Sequence, residues 1–162
     1  MIYIATTQHN IISATHQHNT TLFLHFFCSD YISGDDGYKY KMHTIEQTWD
    51  EAEDICRQEG AHLAMEKTQA SRDFITKTFN HSFWIGVHDK KAKYKFEFVD
   101  GTPVNTTYWA HKQLGHWRRG KDCVFHHGNT HAWDDAPCTD KRPFLCQKRM
   151  THLSKISSFQ VL

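Results

Sequence analysis

The sequence predicts a mixed α+β domain, and three observations support that prediction: helix-start motifs, short apolar strands and the cysteine content. Thr48 and Thr68 each precede a segment in which apolar residues recur at helical spacing. Short alternating or apolar runs, separated by turn residues, indicate strands elsewhere in the chain. Five cysteines in 162 residues indicate one disulfide-bonded domain from an oxidising compartment.

The composition argues against two classes of partner. The formal net charge is +1 and no basic stripe is visible, so we expect no nucleic-acid partner. No run of about 18 apolar residues occurs, so no membrane-spanning helix is expected. Aromatic residues make up 14% of the chain, which allows a core built from Phe and Trp side chains.

The two ends of the chain differ from its centre. Residues 1–27 contain no Lys, Arg, Asp or Glu, and they lack the charged start and continuous apolar stretch of a secretory signal. We expect a disordered or degenerate leader there, a folded domain over residues 28–149 and a mobile tail over residues 150–162.

The first half of the domain predicts one strand and two helices. Residues 38–42 alternate in polarity and predict a strand. Thr48 and Glu51 form a capping box, so a helix should begin there and end at Gly60. Thr68 caps a second predicted helix that runs to about residue 79. The first helix carries an acid cluster that we expect on a solvated face, made of Asp50, Glu53 and Asp54.

The second half predicts strands around a long irregular segment. Residues 83–87 form an apolar run that predicts a buried strand, and residues 96–99 alternate before a turn at Gly101. Residues 102–120 show no period over 19 positions, and a loop of that length is usually functional. Asparagine in an N-x-Ser/Thr motif is a candidate glycosylation site; such motifs begin at Asn19, Asn80 and Asn105.

A predicted hairpin organises the segment from Asp122 to Cys146. Val124 and Phe125 predict one strand, and residues 127–130 supply turn-forming Gly and Asn. Residues 131–133 predict the returning strand. Two adjacent acids, Asp134 and Asp135, then leave that strand pointing to opposite sides of the backbone.

These motifs together resemble the C-type lectin-like domain. The resemblance covers about residues 28–148 and is carried by five motifs in order: Trp84-Ile85-Gly86-Val87, Phe98-Val99-Asp100-Gly101, Tyr108-Trp109-Ala110, Trp133-Asp134-Asp135 and Pro143-Phe144-Leu145-Cys146. It implies a C-type lectin-like fold with two helices, antiparallel sheets and a long ligand loop. It also implies disulfides joining Cys56 to Cys146 and Cys123 to Cys138. Cys28 is left over, either as an inert thiol or as the bridge of a disulfide-linked dimer.

The resemblance implies a calcium site, and this sequence departs from its pattern. Sugar-binding members take calcium ligands from a loop triplet around a proline, from an acid before the Asp-Cys pair and from the acids after the strand Trp. Here the triplet reads Gln113-Leu114-Gly115, and Lys121 replaces the acid. Calcium requires about six to eight oxygen ligands, so Asp134 and Asp135 alone predict a vestigial metal site and no required cofactor. A second calcium site keeps Asp89 and Asp122 but has Lys93 in place of an acid.

The resemblance implies a non-enzymatic extracellular recognition module with weak or absent calcium dependence. A glycan is the expected ligand, and a protein ligand without sugar binding is the alternative. Trp117 is the exposed aromatic that could stack on either. The ligand-binding residues we expect are Gln113, Trp117, Lys121, Asp134 and Asp135.

Two other classes of function remain open at the level of sequence. His126 and His131 could face each other across the hairpin near Asp134, and imidazole with carboxylate suits zinc or copper in a metal-dependent hydrolase. Such a site also needs a third ligand and an open coordination position. A structural protein of an extracellular matrix is the other alternative.

Overall fold

A computed structural model describes residues 30–105, 108–110 and 120–151. The chain divides into two compact units, residues 1–30 and 31–162, and the secondary structure lies in the second. No helix in the described ranges is long and apolar enough to span a membrane. The predicted leader and most of the predicted tail lie outside the described residues, as does Cys28.

Two helices and eight strands make up the fold. In chain order they are β1 (Ile32–Ser33), β2 (Tyr38–Gln47), α1 (Trp49–Gln58), β3 (His62–Leu63), α2 (Gln69–Thr78), β4 (Phe83–His88), β5 (Glu97–Phe98), β6 (Cys123–His126), β7 (Trp133–Ala136) and β8 (Arg142–Arg149). The strands form one sheet in the order β1-β2-β8-β4-β6-β7, with β3 beside β8 and β5 beside β4. The predicted α+β class with two helices is confirmed.

One strand pair departs from the predicted antiparallel arrangement. β8 enters the sheet between β2 and β4, and it pairs antiparallel with β2. It runs parallel to β4, with Trp84 opposite Phe144. A parallel pair needs a long crossover connection, and the segment from residue 89 to residue 141 supplies it. The sheet is therefore mixed, because its last strand closes the middle rather than an edge.

Helix α1 begins and ends where the sequence predicts. The Thr48 N–H donates to Oε2 of Glu51 at 3.1 Å, and the Glu51 N–H donates to Oγ1 of Thr48 at 3.4 Å, which completes the capping box. Gly60 follows the helix with φ of 67°, a left-handed value that favours glycine. Glu53 is buried, contrary to the solvated position predicted for it. Its carboxylate accepts from the Leu63 N–H at 2.8 Å, which ties α1 to β3.

The core consists of two clusters of buried side chains on the two faces of the sheet's central strands. All six residues of β4 are buried. Successive strand residues point to opposite faces, so Trp84 enters one cluster while Phe83 and Ile85 enter the other. The Trp84 indole N–H donates to the Gln47 carbonyl at 3.0 Å, so the buried ring leaves no unpaired donor.

Both predicted disulfides are present. Cys56–Cys146 joins α1 to β8 across 90 residues of sequence, and Cys123–Cys138 joins the start of β6 to the segment after β7 across 15 residues. The first bond fixes the helix on the central sheet. The second encloses the hairpin that carries the acid pair.

Candidate ligand-binding site

Strand β7 carries the two adjacent acids predicted for the ligand site. They lie within the strand and not beyond its end, because β7 pairs with β6 from Trp133 to Ala136. His131, predicted to begin this strand, instead closes the turn with φ of 53°. The two acids point to opposite faces, as predicted: Asp135 is buried with 4% exposure, and Asp134 is half-buried.

Lys121 lies against Asp135. Its Nζ donates to the Asp135 carbonyl oxygen at 3.0 Å and lies 3.6 Å from Oδ1 of the same residue. Oδ2 of Asp135 is buried and has no hydrogen-bond partner in the described part of the chain. Burial raises the pKa of the Asp135 carboxyl, and nearby Asp134 adds to the rise against the attraction of Lys121. A divalent ion could use this carboxylate only by displacing the lysine ammonium.

The second predicted cation position also contains a lysine. Nζ of Lys93 contacts Oδ1 of Asp122, and this hydrogen bond raises the pKa of the ammonium. Asp89 is buried, and its Oδ2 accepts from the Tyr94 N–H at 2.8 Å. The backbone N–H of Asp89 donates to the Asp122 carbonyl at 3.1 Å. An internal cation therefore neutralises the acid that a calcium ion would otherwise bind.

The long loop is anchored to β7 where it is described. The Trp133 N–H donates to the Tyr108 carbonyl at 2.7 Å, and the Ala110 N–H donates to the Trp133 carbonyl at 3.1 Å. The Trp109 ring meets the Trp133 ring edge to face at 5.8 Å, in line with its predicted core role. Gln113 and Trp117 lie outside the described residues.

A buried polar network next to β7 was missed at the level of sequence. Its centre is Glu66, which has no solvent exposure. Oε1 of Glu66 lies 2.6 Å from Nδ1 of His126, and Oε2 accepts from the Trp133 indole N–H at 3.1 Å and from Arg72 at 2.8 Å. The available signal was His126 itself, a polar residue that ends an apolar strand and therefore needs a buried partner.

The network continues to His131. Nε2 of His126 lies 3.2 Å from Nδ1 of His131. In neutral imidazoles the carboxylate of Glu66 assigns the proton of His126 to Nδ1, so Nε2 accepts from the Nδ1–H of His131. Arg72 donates to the His131 carbonyl oxygen, and its guanidinium stacks on the Tyr108 ring at 4.0 Å. This network thus joins α2, the hairpin and the long loop.

The two histidines meet as predicted, but the described residues do not complete a metal site around them. The one group of three potential ligand atoms found in the described ranges is His43, Glu59 and Cys146. Cys146 is disulfide-bonded, so that group cannot supply a thiolate. The arrangement at His126 and His131 is a hydrogen-bonded support for β7.

Comparison with known proteins places this geometry in context. The model of the lectin C-type domain family matches residues 45–148. Homo sapiens C-type mannose receptor 2 is 31% identical over 116 residues, which are 69% of this chain and 8% of that protein. This chain therefore spans a small part of the length of such relatives.

Solved structures show the same fold. The mouse scavenger receptor C-type lectin carbohydrate-recognition domain superposes with a TM-score of 0.70 at 22% identity, over 76% of this chain and 97% of that chain. A calcium-independent type II antifreeze protein superposes with a TM-score of 0.69 at 24% identity, over 75% and 92% of the respective chains.

Proposed function

Because this chain belongs to the family of lectin C-type domains, we propose that it is a non-enzymatic extracellular recognition domain that binds glycans with weak or absent calcium dependence. The observation that supports calcium independence is the position of Lys121, whose Nζ lies 3.0 Å from the Asp135 carbonyl oxygen. Calcium coordination needs about six to eight oxygens, and an ammonium beside the principal carboxylate repels the ion.

Without a metal, the ligand must be held by hydrogen bonds and ring stacking. Lys121 and Asp134 offer a donor and an acceptor on the surface beside β7, and Asp135 orients the lysine from beneath. Gln113 adds an amide, and Trp117 adds an aromatic face on which a sugar ring can stack. A site of this kind favours weak individual contacts, so multivalent presentation would raise its affinity.

A protein ligand is the second candidate, and the lysines at both former cation positions favour it. Lys121 with Asp135 and Lys93 with Asp122 convert two ion sites into salt-bridged surface. Trp117 would then act as an aromatic anchor in a protein interface. One solved structure of similar fold is described as calcium-independent, and it is an antifreeze protein.

An extracellular location is part of the proposal. Two disulfides in a domain of this size are typical of oxidising compartments. The asparagines of two glycosylation motifs, Asn80 and Asn105, are exposed, as an attached glycan requires.

A glycan array with the full chain tests the proposal. We expect binding to a defined set of glycans at equal intensity in calcium and in chelator, and loss of binding in Trp117→Ala. Exposed Tyr94→Ala serves as the aromatic control and should bind as the unmodified chain does. Binding abolished by chelator would overturn calcium independence. An array without any signal, together with saturable binding to a purified protein, would establish the second candidate.

A further inference from the structure

A groove lies between helix α1 and the segment from His88 to Asp100. It consists of two adjoining cavities of about 310 and 240 Å³, which share Glu53, Arg57 and Val99 as lining residues. Trp49 and Val99 contribute apolar surface to the larger cavity. Its volume is at the lower end of the range for small-ligand sites, about 300 Å³. The groove is built from elements other than β7 and does not depend on the proposed glycan site.

Charge pairing around the groove leaves one acid over. Four acids there have a basic partner: Asp50 with Lys90, Glu53 with Arg57, Glu97 with Lys91 and Asp100 with Lys67. Asp54 also lines the larger cavity, is exposed and has no ion-pair or hydrogen-bond partner among the described residues. The groove therefore carries a residual negative charge at Asp54, which favours a cation.

His88 supplies a second unpartnered group in the same cavity. The residue is 8% exposed, and its Nδ1 is buried without a hydrogen-bond partner in the described part of the chain. Nε2 lies 3.8 Å from Oε1 of Glu97, so the ring proton belongs on Nε2 and Nδ1 is an acceptor. Burial lowers the pKa of His88, which keeps the imidazole neutral near physiological pH. A ligand that donates to Nδ1 would satisfy this buried acceptor.

We propose that this groove binds a primary alkylammonium group, the chemistry of a lysine side chain on a protein partner. The methylene stem would lie along Trp49 and Val99, and the ammonium would donate to the Asp54 carboxylate and to Nδ1 of His88. An ammonium has three donors and no acceptor, which matches two unpartnered acceptors and a solvent-facing third position. A neutral alcohol of the same length lacks the attraction to Asp54.

Nuclear magnetic resonance of the full chain tests the site, with n-butylammonium as probe and n-butanol as the neutral control. We expect saturable shifts at the Trp49 indole N–H, the His88 ring and the Val99 amide with the amine, and weaker effects with the alcohol. Asp54→Asn should weaken the affinity by about fivefold, the upper range for an exposed ion pair. Asp73→Asn, the same change on exposed α2, should leave the affinity unchanged.

The role of His88 is tested separately. His88→Leu should remove binding, and His88→Asn, which keeps a polar atom near Nδ1, should restore part of it. The spectrum of each variant reports its folding, and if His88→Leu does not fold, the Asp54→Asn comparison decides. Absence of saturation with the amine, equal binding of amine and alcohol, or an Asp54→Asn affinity equal to that of the unmodified chain would each overturn the proposal.

Discussion

Oε1 of Glu66 lies 2.6 Å from Nδ1 of His126, and neither side chain has any solvent exposure. A carboxylate is retained in a protein interior only when several donors compensate for the loss of water. Trp133 and Arg72 supply the remaining donors to Glu66. Because Trp133 begins the strand that carries Asp134 and Asp135, this contact helps to set the position of the acid pair.

Removing the carboxylate should strongly destabilise the domain. Glu66→Ala leaves two buried donors and a guanidinium without an acceptor, and loss of one partner of a buried pair costs about 3–5 kcal/mol. Glu66→Gln keeps one acceptor oxygen and should cost less. Urea unfolding measures both variants. Glu46→Ala on the exposed part of β2 is the control, and a Glu66→Ala loss no larger than that of the control would contradict the prediction.

Calcium should not stabilise this domain. An ion that binds only the folded state adds RT ln(1 + [L]/Kd), which vanishes when the affinity is far weaker than the ion concentration. Lys121 and Lys93 occupy the two positions where an ion would be held. The melting temperature should therefore be equal in millimolar calcium and in chelator. A rise of several degrees with calcium would show that both lysines move away from the acids.

A restored site provides the matched gain of response. Lys121→Glu with Gly115→Asn returns two oxygen ligands to the pattern that the family resemblance implies. In chelator this variant should melt below the unmodified chain, since a third carboxylate then faces Asp134 and Asp135. Calcium should reverse that loss. Equal melting temperatures with and without calcium would mean that the loop containing Leu114 cannot bring its ligands to β7.

Acidic pH should reveal the cost of ionising Asp135. Burial raises the pKa of its carboxyl above the unfolded value, so the folded chain holds the proton more tightly. Its contribution to stability therefore falls as the pH rises from the unfolded pKa, about 3.9, to the higher folded pKa. Asp135→Asn cannot ionise. The stability of this variant relative to the unmodified chain should be greater at about pH 7 than at about pH 3.

Thermal unfolding of both chains at the two pH values measures that difference. Asp73→Asn on exposed α2 controls for the general effect of removing one negative charge. A relative stability of Asp135→Asn that is the same at both pH values, or lower at the higher pH, would show that Lys121 dominates the environment of the carboxyl.

The two disulfides should contribute unequally. Chain entropy predicts about 4–5 kcal/mol for a loop of 90 residues and about 3 kcal/mol for one of 15. Cys123→Ala with Cys138→Ala should therefore leave a more stable protein than Cys56→Ala with Cys146→Ala. Guanidinium unfolding of the two double variants checks the order. The reverse order would indicate that the hairpin disulfide also fixes native contacts around β6 and β7.

Local signals predicted much of the fold because they act over a few residues. The capping box at Thr48 and Glu51, the left-handed Gly60 and the apolar run of β4 each depend on neighbours in the chain. The parallel pairing of β4 with β8 depends on contacts between Trp84 and Phe144, 60 positions apart, and no local pattern encodes it.

The candidate site was predicted less completely than the fold. The change at Lys121 could be read from the family pattern, and the structure adds the contact with Asp135. Glu66 follows an apolar segment and could have faced solvent or core. Only tertiary structure brings it to His126, because the partner of a buried polar residue is chosen by packing and not by sequence spacing.

The pairing of β2 with β8 has a consequence for how such a domain fits into larger proteins. Tyr38 stands opposite Arg149, and the Met150 N–H donates to the Gly37 carbonyl at 3.0 Å. The polypeptide therefore enters and leaves the fold at one point. A domain with this geometry can be spliced into a host chain by gene insertion, since the flanking sequences remain as close together as they were before it arrived.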